Sequence, residues 1–465
     1  MKVIHTFLKK LVLIGTMALL VALFISGTSV YAEEDVLDYF FNDLVFVDEV
    51  SDNLNQQMHS QLKNGQIKQA IQLAGRLIDN NIQLSEIDSI LYGKLLTNLG
   101  ILFSYDSKYQ TAMQVLDQGL QSIEKHSNPF DKTLINVTMV RGLTQSSLNY
   151  FVEAEESFRR AQHISHRVSG VNTIEQMEII NYIIQLDLKQ GKLLDADREQ
   201  QFNLRISERA YGKDGEELLP ILQRIGAYFA LRGNAIPLSI SFAPRDPFDP
   251  RVLLFRQSIN LYGRAIKIIE DNYGVNDMRL VEPLRGLARA RLLQFTNRWA
   301  SEAALERALH IVQSNPNTDI TDRVNAMINL GDIYTIDGNK KASRIYLQAW
   351  QMMQEDNAFQ QLSADLFGTP TRLYPEIYDI LYLTRRPHAV TDEDVELYID
   401  VTYTVRKDGR VSNIKLIDKN VPNAEVRYMR IGLSNTRFRP RIVDGELLST
   451  QNLMIHQTYE VIENG

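Results

Sequence analysis

Cysteine is absent from the 465 residues. This excludes a disulfide framework, cysteine nucleophiles and thiolate metal sites, so stability has to come from a continuous apolar core. Basic residues are not in excess, at 50 against 57 acidic for a net charge of −7, which gives no electrostatic ground for a nucleic-acid partner. Proline, glutamine and serine form no biased tract. Apolar residues at 44% and charged residues at 23% are those of a folded globular chain. Phosphate loops, nucleophile elbows and zinc-protease signatures are also missing. No enzyme, catalytic residue or cofactor is therefore expected. His163 and His166 are three apart on an expected helix, but two ligands without a third make a poor metal site, so they read as solvated surface residues.

One long hydrophobic run exists, at the N-terminus. Lys2, Lys9 and Lys10 precede the apolar stretch Leu11–Val30, and Val30-Tyr31-Ala32 offers small residues at the two positions a signal peptidase reads. Residues 1–32 read as a signal peptide cut between Ala32 and Glu33, with a bacterial periplasm as the expected compartment. The alternative is an uncleaved inner-membrane anchor facing the periplasm, because the run is nearly long enough to span a bilayer.

Residues 33–357 carry a repeat. A small residue, a bulky one four later and a small one three after that recur as Ala112/Leu116/Gly119, Ala154/Phe158/Ala161, Ser258/Tyr262/Ala265, Ser301/Leu305/Ala308 and Ala342/Tyr346/Ala349. Ala70/Ala74/Leu77 is a weaker copy, and Ala196 keeps the period with polar followers Gln200 and Asn203. The spacing is about 42 residues. Residues four and three apart share one helix face, where small side chains let a neighbouring helix approach. The partner helix precedes each triplet, as in Leu99-Gly100-Ile101-Leu102-Phe103 and Leu330-Gly331-Asp332-Ile333-Tyr334, with turns at Tyr105-Asp106-Ser107 and Gly338. The phase slips once, at Gly233–Arg251, where Pro237, Pro244, Pro247 and Pro250 predict an ordered loop. Tyr92, Tyr182 and Tyr228 are candidates for a concave binding face.

Residues 358–393 read as a capping helix and linker. From Val395 the hydrophobic period becomes two, through Leu397, Ile399, Val401, Tyr403 and Val405. Lys407-Asp408-Gly409 predicts a hairpin turn into a second strand through Val411, Ile414 and Leu416. Ala424–Leu433 predicts a helix with Val426, Met429 and Leu433 inward. Phe438–Val443, the turn Asp444-Gly445 and Leu453–Val461 predict a second hairpin, the last strand holding Leu453, Ile455, Tyr459 and Val461 on one face.

The triplets and turns resemble the tetratricopeptide repeat (TPR) family in its 42-residue form, over about seven units, with Arg209-Ala210-Tyr211-Gly212 similar to the link between such units. Residues 394–465, through Tyr403–Asn413, Arg437-Phe438-Arg439-Pro440 and Asp444-Gly445, resemble the TonB C-terminal domain. The expected fold is mostly α: an α-α superhelical TPR-like solenoid followed by a small α+β domain of order β-β-α-β-β. The resemblance implies a periplasmic scaffold whose terminal domain contacts an envelope protein or outer-membrane receptor by strand addition. Leu453, Met454, Ile455, His456 and Gln457, with Arg437 and Arg439, are the candidate protein-binding residues. A homodimer paired through the same sheet edge, and an anchored TonB-type energy transducer, are the alternatives. The transducer reading lacks the family's proline-rich spacer, and His5 precedes the apolar run rather than lying in it.

Overall fold

The structure, a computed structural model, describes residues 40–42, 44–46, 48–84, 89–236, 249–294, 298–374, 380–383 and 395–461. The expected signal peptide, its cleavage site at Ala32 and Glu33, and prolines 237, 244 and 247 lie outside them. The chain is mostly helical, helix pairs being followed by a small strand-rich region, and it forms two compact units, Met1–Arg224 and Ile225–Gly465.

The first unit contains α1 (Glu49–Lys63), α2 (Ile67–Leu84), α3 (Ser89–Tyr105), α4 (Tyr109–His126), α5 (Leu134–Ser147), α6 (Phe151–Ser169), α7 (Met177–Lys189) and α8 (Leu193–Tyr211). The division falls in α9 (Leu219–Asn234). The second unit continues with α10 (Pro250–Tyr273), α11 (Val281–Leu293), α12 (Arg298–Ser314), α13 (Ile320–Asp337), α14 (Lys341–Gln354) and α15 (Gln360–Phe367). Each odd-numbered helix from α1 to α13 pairs with its successor, giving seven helical hairpins among the described residues.

The repeat triplets lie on the second helix of each hairpin, and all are buried, including the polar set Ala196, Gln200 and Asn203. Burying a Leu or Phe side chain contributes roughly 1.5–3 kcal/mol, so the bulky member of each triplet is a main tie between paired helices. It is admitted by a glycine opposite. A Cβ at Gly100 would stand 2.6 Å from Leu116, and at Gly142 or Gly331 it would stand 2.5 Å from Phe158 or Tyr346. Tyr262 of α10 is met from both sides, by Gly226 of its paired helix at 3.2 Å from the would-be Cβ and by Gly286 of the next hairpin.

The turns inside the hairpins require a left-handed residue, and Gly65, Ser107, Asn149 and Gly191 supply one at successive 42-residue intervals. Gly170, Gly212 and Gly274 do the same just after α6, α8 and α10, each leading into a short 3-10 turn. The proline-rich insertion is narrower than the sequence suggests. Helix α9 runs to Asn234, and Pro250 opens α10 behind the cap Asp249, a first-turn position where its missing N–H costs nothing.

The strand-rich region contains β1 (Thr371–Tyr374), β2 (Ile380–Leu383), β3 (Leu397–Val405), β4 (Val411–Lys419), α16 (Asn423–Asn435), β5 (Arg437–Arg439), β6 (Arg441–Val443), β7 (Glu446–Leu448) and β8 (Thr450–Val461). Its main sheet has the order β2-β8-β3-β4, with β8 antiparallel to β3 and parallel to β2. Leu397, Ile399, Val401 and Tyr403 of β3 alternate inward with Leu453, Ile455 and Tyr459 of β8, over Val426, Met429 and Leu433 of α16.

Two expectations are corrected here. The segment expected as linker contributes strands β1 and β2. The second hairpin does not join Phe438–Val443 to the last strand. Pro440, which has no N–H to donate, divides that stretch. Its first half pairs with β1, its second half forms a tight hairpin with β7, and the last strand pairs with β3 instead.

Candidate functional site

The sheet places the expected binding residues in three different situations. Leu453 and Ile455 face inward against the core, opposite Tyr403 and Val401, and Gln457 is buried. Met454 and His456 face outward, and Met454 is 60% exposed. His456 is engaged there. Its Nδ1 lies 2.6 Å from Asp400 Oδ1, its Nε2 lies 3.3 Å from Glu396 Oε2, and its ring stacks on Tyr398 at 5.1 Å. The hydrogen bond to Asp400, with Glu396 beside it, raises the His456 pKa, so the ring keeps its proton to higher pH than a free imidazole. Tyr398 in turn donates to Asp418 at 2.7 Å. Ile417, 58% exposed, shares this outer side. On the flank of β8, β2 pairs only with Thr458–Val461, so the edge expected to be open along Leu453–Val461 is covered in its last four residues.

Arg437 and Arg439 are occupied inside the molecule. Arg437 Nη1 donates to the carbonyls of Ser434, Asn435 and Thr436, closing the C-terminal end of α16. Arg439 is 7% exposed and forks onto Asp332 of α13, with Nε to Oδ1 at 2.9 Å and Nη2 to Oδ2 at 2.7 Å. Tyr346 of α14 donates to the same Oδ1 at 2.7 Å, and Arg439 Nη1 donates to the Leu366 carbonyl. Burial beside Asp332 pushes the Tyr346 hydroxyl pKa well up, so it stays a donor. The turn at Gly409, with φ +77°, sits against Thr335, and the turn at Gly445 lies 3.4 Å, measured from its would-be Cβ, from the Trp350 ring. The motif residues Gly409, Arg439 and Gly445 thus face the last helical hairpin.

A second arrangement, in the first unit, was not legible in the sequence. Residues 40–42 lie against first helices of the hairpins, and residues 44 and 46 pack nearby. Asn98 of α3 reads the backbone of Asn42 on both sides: its Oδ1 accepts from Asn42 N at 2.8 Å, and its Nδ2 donates to Asn42 O at 3.1 Å. The same Oδ1 accepts from Asn42 Nδ2 at 3.2 Å, and Asn136 of α5 donates to Asn42 Oδ1 at 3.3 Å. Phe40, 2% exposed, lies 5.8 Å from the ring of Tyr182 on α7, and Phe41 meets His59 of α1 edge-on at 5.4 Å. Leu44 and Phe46 pack on the cluster of Leu54, Leu77 and Leu95, whereas Val45 is 89% exposed. Of the tyrosines considered for a binding face, Tyr182 meets this segment. Tyr228 is buried and Tyr92 is half-buried.

The fourth hairpin carries buried polarity. Asn181 Oδ1 accepts from Asn203 Nδ2 at 2.9 Å and from Arg224 Nη1 at 3.0 Å. The side-chain amide of Gln200 is fully buried and has no hydrogen-bond partner. Asp187 is 1% exposed with Oδ2 unpartnered, and burial, with Glu155 adding to it, pushes its pKa up to about 6. His163 packs on Phe130 and His166 meets Gln176, and among the described residues no three histidines or acids are grouped to hold a metal.

No family model matches the chain, and no curated protein matches it. Among solved structures, the C-terminal part of a TPR repeat-containing protein from Cytophaga hutchinsonii is similar over 67% of this chain and 98% of that one, at 10% identity and a TM-score of 0.42. A tetratricopeptide repeat protein from Parabacteroides merdae covers 69% of this chain and 98% of its own, at 12% identity and a TM-score of 0.36. A Rap protein complexed with competence and sporulation factor covers 68% and 86%, at 13% identity and a TM-score of 0.30. At these scores the likeness carries no argument, and the architecture rests on the seven hairpins themselves.

Proposed function

We propose that this chain is a non-enzymatic binding scaffold of the bacterial periplasm, exported by its N-terminal segment, whose TonB-like C-terminal region contacts an envelope protein by strand addition. The observation that carries this reading is the division of labour in the strand-rich region. Its turns and Arg439 are committed to the last hairpin, while the outer side of the main sheet stays exposed with Met454 and Ile417 on it. Among the described residues, no strand lies on the outer flank of the Leu453–His456 stretch of β8. An added strand there gains main-chain hydrogen bonds, and exposed side chains on the sheet supply selectivity. The export reading draws on the apolar run, the Val30-Tyr31-Ala32 site and the absence of cysteine.

A photoreactive residue in place of Met454, activated in intact cells, tests the contact. The expected product is an adduct with an envelope protein through an extended stretch of that partner. An adduct with a second copy of this chain would replace this reading by a homodimer, and no adduct in the folded protein would contradict both. N-terminal sequencing tests export: the expected first residue is Glu33, and an intact N-terminus in the membrane fraction would favour the anchored transducer.

A further inference from the structure

We propose that residues 40–42 and 44–46 act as a built-in ligand: they occupy, in cis, a surface of the first unit's helices that takes a peptide of the pattern aromatic-x-Asn-x-apolar-x-aromatic, and a partner segment of that pattern binds by displacing them. The proposal deepens the scaffold reading but concerns a different surface from the sheet.

Three features of the contact carry it. The backbone N–H and C=O of Asn42 are both taken by one side chain, Asn98. These groups are what any extended peptide presents, so the site reads a strand-like chain rather than a fixed partner. Specificity is added at the same residue. Asn136 and Asn98 bond the Asn42 side-chain amide through its oxygen and nitrogen respectively, which an aspartate could not satisfy at both ends. The flanking side chains add apolar contacts, with Phe40 on Tyr182, Phe41 edge-on to His59, Leu44 and Phe46 on an apolar cluster, and Val45 turned to solvent.

The contact is also of an exchangeable kind. The hydrogen bonds that hold Asn42 are all between neutral amides, which a competing peptide replaces one for one. Only two positions after Phe46, Asp48 caps α1, accepting from Ser51 N at 2.7 Å and from Asn80 at 3.3 Å. Such a tether holds the self-ligand at an effective concentration in the millimolar range for a short connection. A free peptide of equal quality therefore competes poorly, and weakening the self-ligand exposes the site.

The test uses a fluorescent peptide with the sequence of residues 36–47, Val-Leu-Asp-Tyr-Phe-Phe-Asn-Asp-Leu-Val-Phe-Val, titrated into the full-length chain. The Phe40→Ala/Asn42→Ala chain is expected to bind it at least about tenfold more tightly than the parent. Adding Asn98→Ala should abolish that gain, and a peptide with Ala at its Asn should bind weakly. Equal binding by parent and variant, or none by a variant with parental helicity, overturns the proposal.

A second arrangement removes dependence on the variant's folding. Phe41→Cys with His59→Cys, in place of rings 5.4 Å apart, puts the only two thiols of the chain opposite each other while leaving Asn98 and Asn136 intact, and a short bis-maleimide bridge then locks the segment in place. The bridged form should lose peptide binding that the unbridged form shows, and equal binding by the two forms overturns the proposal. Neither experiment reads the sheet, so a negative result leaves the contact at Met454 standing or falling by its own adduct.

Discussion

Two parts of this molecule hold a piece of non-repeat chain against helical hairpins, and they do so with opposite chemistry. On the second unit, Arg439 forks onto Asp332 while Tyr346 donates to the same carboxylate, all three largely buried. On the first unit, Asn42 is held by Asn98 and Asn136 through neutral amides. A buried guanidinium–carboxylate pair costs much to separate, because each partner alone is a desolvated charge. A neutral amide pair exchanges its bonds with another amide or with water at small net cost. The first is a weld and the second a latch. The difference indicates which surface belongs to the fold and which is available to a partner.

The largest effect is expected from breaking the charged contact. Arg439→Ala leaves Asp332 buried without its guanidinium and should destabilise the second unit by about 3–5 kcal/mol. Urea unfolding followed by the fluorescence of Trp350, which lies beside the Gly445 turn, reads this directly. A midpoint unchanged from the parent would remove the weld from the account.

A buried carboxylate without such a partner sharpens the contrast. Asp187 on α7 has its pKa pushed up to about 6, so the folded chain holds a proton there that the unfolded chain has already released. Stability from this group is greatest at low pH and falls as pH rises from about 4 to 6. Asp187→Asn should remove that fall and add up to about 3 kcal/mol at pH 7 and above, with little change at pH 4. Thermal unfolding at pH 4, 5.5 and 7.5 measures it, and equal melting shifts at all three would refute the assignment.

Ala154→Leu tests the hairpins that underlie both contacts. Ala154 is fully buried at the opening of α6, and the larger side chain should cost roughly 1–3 kcal/mol by overpacking. No change in thermal unfolding would mean that the triplet phase is misassigned. The smallest expected effect is at the latch. Asn98→Ala removes bonds to Asn42 worth about 1–2 kcal/mol in all, and it should raise proteolysis near residues 40–46 without lowering global stability. Unchanged cleavage there would contradict the role given to Asn98.

The hairpins were legible in the sequence because their signal is local: Ala154, Phe158 and Ala161 fall on one face of one helix, and the left-handed turn residues recur at the same 42-residue step. Strand β3, its turn at Gly409 and helix α16 were legible for the same reason. The two contacts were not. Arg439 meets an aspartate 107 positions away, and Asn42 meets its partners at 56 and 94. No periodicity connects such residues, so Arg439 read as a protein-binding candidate and nothing in the sequence singled out Asn98. Strands β1 and β2 escaped notice because each is four residues long and pairs with distant chain.

Amide hydrogen exchange compares latch and weld in one sample. The Asn42 N–H bonds Asn98 Oδ1, and the Phe438 N–H, next to Arg439, bonds the Gly409 carbonyl at 2.9 Å. The account predicts that the Asn42 amide exchanges at least about tenfold faster than the Phe438 amide, and that the bis-maleimide bridge between positions 41 and 59 slows exchange at the Asn42 amide and not at the Phe438 amide. Equal protection of the two amides in the unbridged chain would contradict the claim that the N-terminal segment is a displaceable ligand.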